Sequence, residues 1–298
     1  MAEASLLTIQ LHLVYNESGY LSAAGSITRS EANLMAVIFY LSGTGNSLYA
    51  AESIAKELGA CRLEGITGYL KAPYEVQDEV VGIVCPVHCM ALPSVVEIFL
   101  QQVKMVPQYI FLVVTMGAMS GQALGQGKEL LEQRELRLSY GAQAALPDNS
   151  IVFPSPAARK EKLLRDAPSE LGLIARNIKN RHDNYSHLGR SFLWQHGGTV
   201  VGWWVLEKMK NIGALSCDAT KCVGCGICAT VCPAGNITLS EGKPAFGTEC
   251  LHCFGCAHWC PQTAISLGSL KPDVKTRYTH PEIKPAELAA QKERKDEV

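Results

Sequence analysis

The stretch that decides the fold is a cysteine motif of twelve residues that occurs twice, as Cys222-Val-Gly-Cys225-Gly-Ile-Cys228-Ala-Thr-Val-Cys232-Pro233 and, 28 residues later, as Cys250-Leu-His-Cys253-Phe-Gly-Cys256-Ala-His-Trp-Cys260-Pro261. Each copy has the form C-x₂-C-x₂-C-x₃-C-P. The period extends beyond the cysteines, because Ile237 corresponds to Ile265 and Leu239 to Leu267. Such a repeat predicts one structural unit built twice, and we assign it to residues 216–270.

The spacing of these cysteines is typical of ligands to [4Fe–4S] clusters. Three thiolates within seven residues can bind three irons of one cubane when the loop between them contains small residues such as Gly224 and Gly226. The fourth cysteine begins a helix that faces away from that cubane, and the proline after it suits a first helical turn. We therefore predict crossed ligand sets: Cys222, Cys225, Cys228 and Cys260 for one cluster, and Cys250, Cys253, Cys256 and Cys232 for the other.

Structural zinc is the alternative for the same cysteines. A zinc site usually pairs two C-x₂-C knuckles, and a third cysteine two residues further on has no place in one tetrahedral site. The pattern therefore favours a dicluster module of the bacterial ferredoxin type, with an α+β fold. Cys217 lies outside the pattern, and we interpret it as a small buried hydrophobe.

The distribution of the cysteines indicates the redox compartment. Of the twelve cysteines, nine lie between Cys217 and Cys260, and residues 90–216 contain none. A secreted disulfide scaffold would spread its cysteines along the chain. We therefore expect a cytoplasmic protein working under reducing, anaerobic conditions.

Residues 35–150 predict an α/β domain. Unbroken apolar runs, typical of strands buried on both faces, are Ala36–Leu41, Val80–Pro86, Tyr109–Thr115 and, more weakly, Ala142–Leu146. Helical stretches lie between them, at Ser47–Leu58, Pro93–Val103 and Gln122–Arg134. This alternation predicts a doubly wound parallel sheet, and we expect five strands.

The rest of the chain is less informative. Residues 151–215 hold ten Lys/Arg against five Asp/Glu, and we predict a helical connector with one helix over Ala157–Arg181 and a second ending near Met209. We expect residues 1–34 to be an N-terminal extension. Residues 271–298 form a tail without a core of its own, which can lie along the surface through Tyr278 and Ile283.

Composition excludes two classes of partner. The formal net charge of −1 lacks the basic excess of a nucleic-acid-binding protein. No apolar run approaches the roughly 18 residues that a membrane-spanning helix needs, so we predict no membrane span. The sequence does not predict an oligomeric state.

A second candidate site follows the first predicted strand. Hydroxyl groups and unshielded backbone N–H groups at the start of a helix form an anion cradle that the helix dipole favours. The loop contains no lysine and departs from both the Walker A and the G-x-G-x-x-G patterns, so it suits a phosphate monoester held by neutral donors. The residues are Ser42, Gly43, Thr44, Gly45, Asn46 and Ser47.

This hexapeptide resembles the FMN-phosphate loop of flavodoxins. Two later loops resemble those that flank the flavin ring: Cys85–Pro93, in which Pro86, Val87 and His88 stand for Pro-Val-Tyr, and Thr115–Gly121, which contains Thr115 and Gly117. All three loops follow strands, where an open α/β sheet binds its ligand. The resemblance implies a flavodoxin-like fold and an FMN site built from these residues.

Together with the cysteine repeat, the architecture resembles the flavodoxin–ferredoxin fusions called the EFR1 family. The segments Leu146–Asn149 and Arg277–Pro281 also resemble stretches of that family, so the likeness covers roughly residues 35–285. Because both kinds of site lie on one chain, we predict an electron-transfer protein in which two [4Fe–4S] clusters exchange electrons with FMN. Nothing in the sequence resembles a nicotinamide site, so we expect a protein donor and a protein acceptor. The alternatives are a flavin-dependent reductase of a small molecule, fed by the clusters, and an oxygen-responsive redox sensor.

Overall fold

The structure is a computed structural model that describes residues 36–151, 154–188, 214–268, 270 and 273–293. The predicted N-terminal extension lies outside these residues, as does the second connector helix ending near Met209. Among the described residues, no helix is both long and apolar enough to cross a membrane.

The first part of the chain forms a five-stranded parallel sheet. Its strands are β1 (Ala36–Tyr40), β2 (Cys61–Gly65), β4 (Val80–Pro86), β6 (Tyr109–Met116) and β7 (Leu138–Ala145), and the short strands β3 (Glu75–Val76) and β5 (Lys104–Met105) pair with each other outside it. The sheet order is β2-β1-β4-β6-β7, with every neighbouring pair parallel. This is the strand order of flavodoxin-like folds, so the predicted fold class is confirmed.

Helices cover the sheet on both faces. They are α1 (Asn46–Leu58), α2 (Ile66–Lys71), α3 (Ser94–Gln102), α4 (Ala123–Glu132) and α5 (Ala157–Lys179). Successive residues of β1 face opposite sides: Val37 and Phe39 belong to one apolar core, and Ile38 and Tyr40 to the other. The helix α5 packs against α1 and completes the second core.

The strand β2 was not recognised in the sequence, because its residues are largely polar. The carboxylate of Glu64 is buried and forms an ion pair with Arg62. Arg62 Nη2 also lies 2.5 Å from Asp78 Oδ2, and Asp78 is 2% exposed. These pairs compensate the charges of an edge strand that lacks an apolar pattern.

The C-terminal part has a small α+β fold. The strand β8 (Leu215–Cys217) pairs antiparallel with β11 (Ile265–Leu267), and β9 (Ile237–Ser240) forms a hairpin with β10 (Lys243–Phe246). Two helices of equal length are α6 (Ile227–Val231) and α7 (Gly255–Trp259). A further short helix, α8 (Pro285–Ala289), lies in the tail, and single 3₁₀ turns occur at Tyr185–His187 and Ala290–Lys292.

Candidate functional site

The eight cysteines of the repeat are gathered around two separate cavities. One cavity is lined by Cys222, Cys225, Cys228 and Cys260, and the other by Cys232, Cys250, Cys253 and Cys256. The structure therefore brings together the same two groups of four that the crossed assignment predicts. We call them the first and the second thiol set.

The repeat extends to the backbone conformation. Positive φ angles occur in the first copy at Gly224 (70°) and Gly226 (75°), and 28 residues later at His252 (53°) and Phe254 (57°). The helices α6 and α7 follow at the same offset. L-residues rarely adopt this conformation, so the second copy keeps a cluster-binding loop shape even where glycine is absent.

Backbone N–H groups point at several of the predicted ligands. Asn236 N donates to Cys232 Sγ (3.3 Å), and at the equivalent position Ala264 N donates to Cys260 Sγ (3.3 Å). His252 N lies 3.4 Å from Cys250 Sγ. Donors of this kind stabilise thiolates and tune the reduction potential of a bound cluster, so the residues present fit [4Fe–4S] clusters.

The two thiol sets differ in exposure. Cys225 of the first set is exposed, and it lies beside Val223 and Leu239, which are 64% and 47% exposed. In the second set, Cys256 is buried and burial raises the pKa of the Cys253 thiol to about 12. Cys225 therefore gives the first set an exposed edge, although Cys228 and Cys260 of the same set are buried.

The second thiol set lies directly against the loop Ser42–Ser47. A Cβ placed on Gly43 would be 2.8 Å from the carbonyl oxygen of Cys253, and one placed on Gly255 would be 2.6 Å from the carbonyl oxygen of Gly43. Trp259 Nε1 donates to that same Gly43 oxygen at 3.1 Å. Backbone thus packs on backbone here, and only glycine fits at this contact.

A second set of contacts joins the two domains next to this one. His258 Nε2 lies 2.7 Å from the carbonyl oxygen of Asn149, and Tyr278 N donates to His258 Nδ1 at 3.1 Å. Because Nδ1 accepts, the neutral ring donates from Nε2, and burial lowers the pKa of His258 to about 4. Asn149 Nδ2 also donates to the Cys253 carbonyl at 3.3 Å.

The predicted phosphate loop is placed between β1 and α1, as expected. Gly45 has a φ of 102° and its N–H donates to Ser42 Oγ at 3.1 Å. Ser47 Oγ lies 2.8 Å from Thr115 Oγ1. Ser42, Thr44 and Ser47 are at most 3% exposed, so the hydroxyl groups of the loop face protein rather than solvent.

The other residues predicted at the flavin ring lie at the same edge of the sheet. Val87 N donates to the Thr115 carbonyl at 3.0 Å, next to Pro86 at the end of β4. A Cβ on Gly117 would lie 2.5 Å from Asp148 Cβ. Burial, together with the nearby His252, lowers the pKa of His88 to about 4.

The tail supplies functional contacts that sequence reasoning located only in part. Tyr278 and Ile283 are buried, and Gln291, which the sequence did not indicate, is fully buried as well. Gln291 Oε1 accepts from Ser42 N and Gln291 Nε2 donates to the Ser42 carbonyl, both at 2.9 Å. A glutamine in a polar, charged tail gives no pattern from which this amide pair could have been found.

Cys217 packs against the apolar cluster of the C-terminal part, in agreement with our interpretation. It is half-buried and lines the cavity of the first thiol set. Burial and a hydrogen bond to Cys222 raise the pKa of its thiol to about 11. Cys217 is therefore both a packed, partly buried residue and a fifth thiol beside the first set.

Comparison with known proteins agrees with the cysteine geometry. Residues 221–265 match a protein-family model described as a 4Fe-4S dicluster domain. These residues hold all eight predicted ligands. Iron–sulfur clusters are therefore the cofactors of this segment. A search of curated proteins found no match.

Solved structures of other proteins resemble part of this chain. Megasphaera elsdenii flavodoxin in its two-electron reduced form is 23% identical, with a TM-score of 0.33, covering 47% of this chain and 98% of that chain. A flavoprotein in complex with FMN from Lactobacillus acidophilus is 13% identical, with a TM-score of 0.28, covering 38% of this chain and 93% of that chain. An FMN-dependent NADH-azoreductase from Bacillus anthracis in complex with FMN is 10% identical, with a TM-score of 0.35, covering 49% of this chain and 100% of that chain.

Because all three identities and scores are low, the fold assignment rests on the strand order described above. The chain joins a flavodoxin-like domain to a 4Fe-4S dicluster segment, which makes it a fusion of the flavodoxin–ferredoxin type.

Proposed function

We propose that this protein transfers electrons through two [4Fe–4S] clusters, with the first thiol set binding one and the second thiol set binding the other. The observation that carries the proposal is the grouping of eight cysteines around two cavities in crossed sets of four. When bound, such clusters supply one-electron transfer. The finer assignment to the EFR1 family rests on the resemblances described above.

The chain's residues give the two clusters different environments. Cys225, Val223 and Leu239 are exposed beside the first set, so we propose that a protein donor or acceptor contacts the molecule there. The Cys253 loop packs on Gly43, and Trp259 donates to the Gly43 carbonyl, so the second set is fixed against the loop Ser42–Ser47. We propose that a cluster held there exchanges electrons inside the molecule.

FMN is the second redox group that we propose, at Ser42–Ser47. The support is the loop itself, which gathers neutral donors at the start of α1, at the edge where a flavodoxin-like sheet binds its ligand. The residues fit FMN by type, but not in the arrangement described here, because the loop is buried under the Cys253 loop and the tail. Flavin binding therefore requires these segments to move.

The reductase alternative gains no support from the geometry. A substrate would need open space between the loops 86–92 and 115–121. Instead, Gln122 N donates to the Met90 carbonyl at 2.8 Å, and a Cβ on Gly121 would lie 2.2 Å from the Met90 oxygen. Electron transfer between protein partners needs no such space.

Metal analysis of four serine variants tests the proposal. Anaerobically purified protein should contain about eight irons with matching sulfide, and a reductive titration should give two one-electron spectroscopic signals. Crossed ligation predicts that Cys260→Ser perturbs the same signal as Cys225→Ser, and that Cys232→Ser perturbs the same signal as Cys253→Ser.

The matched control is Cys61→Ser, a half-buried cysteine outside the repeat, which should keep all the iron. Zinc without sulfide would overturn the proposal. Pairing of Cys260 with Cys253 would overturn the crossed assignment but leave the clusters in place.

A further inference from the structure

We propose that the C-terminal strap, residues 278–293, and FMN compete for the loop Ser42–Ser47, so that the docked strap holds the protein in a flavin-excluding state. The inference rests on the proposed FMN site. The inference goes beyond the proposed FMN site because it assigns a function to the strap, which belongs neither to the cysteine repeat nor to the predicted flavin loops.

The strap occupies the loop with specific contacts. His280 N donates to the Thr44 carbonyl at 2.8 Å, and Tyr278 OH donates to Asn46 Oδ1 at 2.7 Å. The amide of Gln291 closes a reciprocal pair on the backbone of Ser42. Three of the six loop residues therefore already have a hydrogen-bond partner in the strap.

The strap also fills the space above the loop. A Cβ on Gly45 would lie 3.0 Å from Cβ of both His280 and Ile283. The His280 ring stacks on Tyr49 of α1, with 4.0 Å between the ring centroids. A phosphate that reaches the N–H groups at the start of α1 must first displace this cover.

One atom of the strap has no partner in this docked arrangement. His280 is 2% exposed, and its Nε2 is buried without a hydrogen bond, while Nδ1 accepts from Glu282 N at 3.4 Å. A buried donor without an acceptor destabilises the docked strap. A ligand can therefore displace the docked strap more easily than it could displace a strap whose hydrogen-bonding groups all had partners.

The ring side of the site is closed in the same state. Asn149 Nδ2 donates to the Cys253 carbonyl, and the loops 86–92 and 115–121 are joined by the hydrogen bond from Val87 N to the Thr115 carbonyl. Gln122, directly after the second loop, also donates to the Met90 carbonyl. Flavin therefore needs both the strap and the neighbouring loops to open. Because the strap holds Ser42 directly, releasing it is the first requirement.

The strap can be released without changing the FMN loop. A Cβ on Gly65 would lie 1.8 Å from the Gln291 carbonyl oxygen, so Gly65→Ala should expel this end of the strap. Gln291→Ala removes the amide pair and serves as a second, milder variant. Gly172→Ala is the matched control, because its Cβ would meet only Arg176 Nη1 at 3.5 Å.

The experiment titrates FMN into the full-length, cluster-loaded protein and follows flavin fluorescence together with hydrogen exchange of residues 278–293. Both release variants should bind FMN about tenfold or more tightly than wild type and Gly172→Ala, because the apparent affinity is reduced by the fraction of molecules that are open. By linkage, FMN should increase exchange in the strap of the wild type.

Three outcomes are distinguishable. Tighter binding in both variants with faster strap exchange supports competition. Equal FMN affinity in all four proteins overturns the competition and leaves the proposed FMN site standing. No FMN binding in any of them, with all variants folded and cluster-loaded, overturns both.

Discussion

Replacing Gly43 by alanine tests whether the second thiol set is fixed by backbone packing on the flavodoxin-like domain. The added Cβ would lie 2.8 Å from the Cys253 carbonyl oxygen, where ordinary contacts begin at 3.4 Å, so the Cys253 loop must move by about 0.6 Å. Overpacking of this kind costs about 1–3 kcal/mol. The docking equilibrium of the Cys253 loop should therefore weaken by about 5- to 150-fold.

Hydrogen exchange of the cluster-loaded protein measures this loss. Amides of α7 and of the Cys253 loop should exchange faster in Gly43→Ala by that factor, while amides of β4 and β6 keep their protection. Gly172→Ala adds the same methyl group to a helix where there is room, and should leave the Cys253 loop unchanged.

Unchanged exchange in Gly43→Ala, matching Gly172→Ala, would refute the reasoning. It would mean that the loop and the second thiol set are not held against Gly43 in solution. A uniform increase across the sheet would instead indicate general destabilisation, and would equally count against a local contact.

Three further predictions concern single side chains. Burial lowers the pKa of His280 to about 4, below its unfolded value near 6.5. The docked strap requires the neutral ring, so docking has its full stability above about pH 6.5 and loses stability as the pH falls. About 2 kcal/mol of the free energy of strap docking should be lost at pH 5, as measured by hydrogen exchange of the strap, and His280→Phe should remove this pH dependence. Cys217→Ala should retain the iron but lower the reduction potential of one cluster, on the order of tens of millivolts, because a hydrogen bond to Cys222 is lost. An unchanged reduction potential would contradict this. His252→Gly should slow iron loss from the second thiol set, since a φ of 53° costs an L-residue about 1–2 kcal/mol; faster loss would show that the side chain itself is needed.

Much of the sheet could be predicted because its central strands are buried on both faces. The strand β4 was predicted over Val80–Pro86 and has those bounds, and β1 and β6 differ from their predictions by one residue. Their unbroken apolar runs are a direct consequence of that burial. The strand β2 lies at the sheet edge and buries charged residues in ion pairs, so it carries no such run.

The cysteine grouping could be predicted because ligand spacing is a local property of the chain. The docking of the cluster segment on the sheet could not, because it depends on contacts between residues far apart in sequence. Gly43 and Cys253 are ordinary members of their own motifs, and nothing in either motif indicates that they touch. The strap is likewise held by hydrogen bonds and glycine contacts rather than by an apolar pattern, which is the only kind of signal that periodicity can detect.

Several contacts between the flavodoxin-like domain and the cluster segment lie close together, at the loop Ser42–Ser47 and at residues 147–149. Pro147 and Asn149 follow the last strand of the sheet: Pro147 accepts from Asn46, and Asn149 binds both Cys253 and His258. The strap, which follows the cluster segment in the chain, reaches the loop Ser42–Ser47 through the hydrogen bond from Tyr278 to Asn46. A ligand that displaces the strap therefore also perturbs the groups that hold the second thiol set. We therefore expect the reduction potential of a cluster in that set to respond to opening of the loop Ser42–Ser47, because solvent exposure is one of the factors that set such potentials. The covered loop would then couple occupancy of the flavodoxin-like domain to the electron affinity of the neighbouring cluster.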